Sequence, residues 1–250
     1  MPIRKPYRRT CRQLTDGTYK NSGNGNYVSH PMFANAPEHY IRAFLLIQKD
    51  MQDLFAYVEP SEKNLQCHSY RIHELLFRAC VEVEASCKAI LLENGYPSNN
   101  FMKMNDYKKI EMSHKLSSYS VKMPIWHGGE RIILPFEKWS TGNSLPWYDV
   151  YNNIKHNRYH AFEEATFDQM LNAVSGLVVI LSSQFLQESF SPADGRLVLS
   201  HANVDFEESI GQFFRVKYPK NWPEEERYSF NWQELKDESD PFQNYPYPSN

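Results

Sequence analysis

The residues whose types and spacing suit chemistry lie in one short stretch, residues 147–160, which read WYDVYNNIKHNRYH. In a helix, Asn152, Lys155, His156 and Tyr159 fall three and four positions apart and project from one face, away from Trp147, Val150 and Ile154. An amide, a cation and an imidazole then converge within about one turn. Lys155 is the candidate phosphate holder, with Arg158 and Tyr159 beside it as further RNA contacts. A neutral imidazole next to a phosphate-binding cation suits general-base attack by a ribose 2′-hydroxyl on its own phosphodiester, a reaction that needs no metal. Asn152, Lys155 and His156 are therefore the candidate catalytic set. The competing reading of the same residues is structural, because helix ends gather Lys, His, Asn and Arg to satisfy the last carbonyls and the dipole.

Other constellations carry less. Arg196 and His201 have a loose Arg-to-His spacing, but the sequence between them is strand-like and places Leu197 where a polar residue should follow the Arg. Glu163, Glu164 and Asp149 read as solvation around a helix entry rather than as metal ligands. Cys67 and His68 lack the partner ligands of a zinc site, and the four cysteines form no CxxC pair and read as free thiols. Trp126, Trp139 and Trp147 read as core aromatics before base-stacking platforms. There is no Gly-rich phosphate loop, HExxH or GxSxG. No metal and no cofactor is expected.

The elements that must position this stretch are helical. Apolar residues at steps of three and four predict a helix over 37–58, with Pro37 near its start. A second helix is expected to begin after Pro60-Ser61 and to run to Asn94, closed by Gly95, with Ile72, Leu75, Leu76, Ala79, Val83, Cys87 and Ile90 in one stripe. Arg71, Glu74, Arg78 and Glu82 form a charge ladder along its flank. A short helix is placed at 105–116, a β-hairpin at 118–137 around His127-Gly128-Gly129, and a helix from Leu145 to about Tyr159. Thr166 caps a last helix reaching about Glu188, apolar nearly all round, whose Leu171, Val174, Leu177 and Val178 should bury the stripe of the second. Short strands are expected at 196–199 and 212–218. Residues 1–35 read as a basic irregular arm, and the last ten as a loosely attached tail.

Composition sets the outer bounds. Hydrophobic residues make up 41% and charged residues 23%, ordinary values for a folded chain. The formal charge of −3 gives no global field for nucleic acid, so any RNA contact needs a local patch. The basic residues Arg4, Lys5, Arg8, Arg9 and Arg12 offer a second such patch. No apolar run approaches the roughly 18 residues of a membrane span, and residues 1–12 are not followed by the apolar core of a secretory signal; a cytoplasmic, non-membrane protein is the expectation.

Residues 71–91, RIHELLFRACVEVEASCKAIL, together with 147–181, WYDVYNNIKHNRYHAFEEATFDQMLNAVSGLVVIL, resemble the HEPN superfamily and its bacterial relatives. The resemblance covers residues 37–95 and 145–190. It implies a mainly α protein: a HEPN-like helical bundle over 36–190 with an inserted β-hairpin, an N-terminal arm, and a small irregular α+β region over 191–250. Active members carry an Arg, a polar residue, three variable positions and a His near the start of a helix, and are commonly RNases of toxin, defence or RNA-processing systems. Asn152 matches the polar position and His156 the His, but Tyr151 occupies the Arg position. The resemblance thus implies an interaction or RNA-binding module in an RNA-related or host-defence setting with a departed catalytic motif. The alternative is a metal-independent endoribonuclease with His156 as base and Lys155 or Arg158 as clamp. RNA or a protein is the implied partner, and a homodimer joined through Trp147, Tyr148 and Tyr151 the implied assembly.

Overall fold

The computed structural model describes residues 1–21, 23–97, 102–188 and 207–248. It is mainly helical. The α-helices are α1 (Pro37–Leu54), α2 (Tyr70–Glu93), α3 (Met104–Tyr107), α4 (Glu111–His114), α5 (Pro146–Ala161), α6 (Phe167–Phe185) and α7 (Trp232–Leu235). The strands are β1 (Ser120–Met123), β2 (Arg131–Ile133), β3 (Glu207–Glu208) and β4 (Arg215–Lys217).

The two apolar stripes meet as expected. Helices α2 and α6 make the most extensive contact between any two elements. Leu75, Leu76, Ala79 and Val83 on one, and Leu171, Val174, Leu177 and Val178 on the other, belong to the same buried cluster. Helix α6 starts where Thr166 accepts the Gln169 N–H at 3.3 Å. Its Gly176 lets α5 approach closely, since a Cβ there would lie 3.1 Å from the Trp147 ring. Helix α2 starts later than its sequence period suggests. Residues 65–68 are drawn away to the front of α6, where the Phe167 and Asp168 N–H groups donate to the carbonyls of Cys67 and Leu65 at 2.8 and 3.0 Å. Ser69 then caps α2 by accepting the Ile72 N–H at 3.2 Å. At the far end Gly95 turns the chain with φ +77°, as a left-handed stop requires.

The hairpin forms with Val121 opposite Ile133. It is not a lone insertion, because β4 pairs with the free edge of β1, Val216 facing Val121, and the four antiparallel strands run β2-β1-β4-β3. The 196–199 strand expectation lies outside the described residues.

The arm and the tail are both corrected. Residues 1–14 thread through the molecule: the Cys11 N–H donates to Ser183 O at 2.8 Å, and Arg9 is wholly buried. Arg9 pairs with Glu93 at 2.8 Å, donates to Gln184 at 3.0 Å and lies over the Tyr40 ring. Ile3 and Tyr7 bridge to Tyr228 and Gln243 near the other end of the chain. The tail folds back as a wall of rings, with Phe242 and Tyr247 buried and Tyr245 beside the Arg12 guanidinium at 5.3 Å. Prolines keep this segment extended while its aromatic side chains supply the burial that composition alone had denied it. Among the described residues no helix is long and apolar enough to cross a membrane. The four cysteines are free, and burial pushes the Cys11 thiol up to about 12.

Candidate nucleic-acid interface

Helix α5 begins at Pro146, where the missing N–H costs nothing, and buries Trp147, Tyr148, Tyr151 and Ile154. Trp147 donates its indole N–H to Pro135 O at 2.8 Å, and Tyr148 its hydroxyl to Glu84 at 2.5 Å. These aromatics are core, so they do not form the two-fold surface expected of them. Tyr151, at the position where the resemblance calls for Arg, is 2% exposed and edge-on to Phe77 at 5.0 Å. An ammonium or guanidinium there would need to be desolvated.

The polar face projects outward, and Lys155 is turned to its own helix's Tyr151. Lys155 leans back, its ammonium 3.4 Å from the Tyr151 hydroxyl and 5.3 Å from that ring's centre. That hydroxyl contact holds the Lys155 pKa above its ordinary value. His156 is exposed, and neither its side chain nor that of Asn152 makes a hydrogen bond or ion pair among the described residues. The helix breaks at Asn157, whose φ −138° and ψ 45° are not helical. Arg158 and Tyr159 therefore leave the register that would have stacked Tyr159 one turn beyond Lys155.

The break sends Arg158 toward the start of α2, where its guanidinium lies 5.6 Å from the centre of the Tyr70 ring. It makes no ion pair among the described residues. Beneath it the rings form a column: Tyr70 to Phe162 at 4.7 Å, Phe162 to His73 at 5.5 Å, His73 to Phe77 at 4.6 Å with planes 20° apart. Burial between those rings, and then the Arg158 charge, lower the His73 pKa, so the imidazole is neutral near pH 7. A cleft of about 370 Å³ opens here, lined by Tyr70, His73, Glu74, Phe77, Arg78 and Arg158. Glu74 is paired with Arg71 at 3.0 Å, and Arg78 with Asp50 of α1. The charge ladder on α2 is thus partly turned across to α1, and the one uncompensated charge lining this cleft is that of Arg158.

Sequence reading missed this cleft. The signal was present as Tyr70, His73 and Phe77 at steps of three and four. It was masked because the same helix carries a much stronger apolar stripe. Elsewhere, Asp149 accepts from Ser144 at 2.5 Å and Glu164 from Asn153 at 2.8 Å, while Trp139 and Trp147 are buried and Trp126 is partly buried beside Arg131. The Arg196 and His201 spacing lies outside the described residues. Comparison with protein-family models, with curated proteins and with solved structures finds no match.

Proposed function

We propose that this protein is a HEPN-like module that binds RNA through the end of α5 and does not cleave it, in the RNA-related or host-defence setting that the resemblance implies. The observation that carries the reading is Arg158: an exposed guanidinium, seated on an aromatic ring, with no carboxylate paired to it among the described residues. An Arg left unpaired in the same exposed stretch of chain as Lys155 and Tyr159 suits contact with a phosphate backbone. Lack of cleavage follows from the neighbouring imidazole. A general base must be held against the proton it removes, and His156 has no group orienting it, while Lys155 is turned to Tyr151.

The test is fluorescence anisotropy with labelled RNA over a range of NaCl, beside a cleavage assay in EDTA. Each of Lys155→Ala and Arg158→Ala is expected to reduce the slope of log affinity against log salt by about 0.7 for a single strand. RNA should remain intact, with or without His156→Ala. Cleavage abolished by His156→Ala would establish the endoribonuclease alternative instead.

A further inference from the structure

We infer that the cleft between the first turns of α2 and the end of α5 takes one unpaired nucleotide of an RNA strand, its base stacked on Tyr70 and its phosphodiester on Arg158. The inference rests on the RNA-binding reading above and adds the strand form and the residues of α2.

Two features of the ring column point to this occupant. Tyr70 is 70% exposed although it is one end of a column of rings, so much of its ring edge and face stays open to solvent beside the Arg158 guanidinium. The column behind it, Phe162, His73 and Phe77, is closely spaced, which holds Tyr70 in place before anything binds. A base in a duplex keeps both faces covered by its neighbours, so only an unpaired base can use such a platform.

Charge narrows the choice further. Glu74 and Arg78 are each neutralised by partners, which leaves the single positive charge of Arg158 facing the cleft. His73 adds no second charge near neutral pH. One fixed cation matches the single negative charge of an internal phosphodiester better than the near-double charge of a terminal phosphate. The guanidinium already lies over Tyr70, so base and phosphate of one nucleotide fall within reach of adjoining groups.

The experiment compares an unstructured single-stranded RNA of about eight nucleotides with the duplex of the same length, by anisotropy at low salt. The proteins are the full-length chain and its Tyr70→Ala, Tyr70→Phe and Arg158→Ala forms, each first checked by thermal melting. Tyr70→Ala is expected to weaken the single strand roughly ten-fold, the scale of one lost base stack. Tyr70→Phe should restore it, and the duplex should bind more weakly than the single strand and not respond to either change. Unchanged single-strand affinity in Tyr70→Ala, or a duplex bound as tightly as the single strand, would overturn this inference while leaving RNA binding in place. A full-length chain that binds neither RNA at low salt would overturn both.

Discussion

Two histidines show how differently the same side chain behaves in this molecule. His156 is exposed with nothing to hold it, whereas His114 is fully buried, its Nε2 at 2.9 Å from Arg9 O and its Nδ1 at 2.6 Å from the Ser113 hydroxyl, which in turn contacts the Tyr247 hydroxyl at 2.5 Å. A carbonyl can only accept, which places a proton on Nε2. Burial lowers the His114 pKa from 6.5 to about 3. The unfolded chain therefore takes up a proton near pH 6.5 that the folded chain refuses, and stability is fully present above that pH. It should fall as pH drops from about 6.5 toward 3, at up to about 1.4 kcal/mol per pH unit. Urea midpoints measured between pH 7.5 and 4 check this, and His114→Gln should flatten the curve in that window. A midpoint in the parent chain that holds steady down to pH 4 would refute the assignment. The candidate site was only half legible at this scale: residue types named Lys155, His156 and Arg158, but they could not show that Tyr151 would hold Lys155 or that Arg158 would meet Tyr70.

At the scale of elements, periodicity served well where a stripe was long. Helices α1, α2, α5 and α6 and the hairpin lie where apolar spacing put them, because a face that must be buried dictates its own period. Leu177 sits wholly buried where α6 meets α2, and Leu177→Ala should cost about 2–5 kcal/mol by denaturant unfolding. A loss under about 1 kcal/mol would mean that the core lies elsewhere. Thr166→Ala removes only a cap, so about 1 kcal/mol is expected. Boundaries set by tertiary contacts were not legible. The start of α2 depends on Leu65 and Cys67 bonding to α6, and the break in α5 falls at Asn157 within a run of polar residues that carries no Pro or Gly to announce it.

At the scale of the whole molecule, the segments of weakest pattern turned out to be structural. The basic residues near the start are not a free RNA-binding arm: Arg9 and Arg12 are buried, Arg8 is paired with Asp240 at 2.7 Å and Lys5 with Glu238. Deleting residues 1–12 strands Glu93 and Gln184 without Arg9 and opens the backbone contact at Ser183. The truncated chain should lose its cooperative thermal transition; a melt within a few degrees of the full chain would show the segment to be dispensable. Irregular segments like these are invisible to periodicity because their partners are far away in the chain and their burial comes from rings rather than from a repeating face. The contact of Tyr247 with Ser113, one bond from the His114 that holds Arg9, also has a temporal meaning. Helices α2 and α6 can pair on the ribosome once residue 185 has emerged, but the early segment has no lid until the chain around Tyr247 is released. At roughly 5–20 residues per second, the chain around Tyr247 follows residue 185 by seconds, so the packing around Arg9 is the last part of the molecule to be completed.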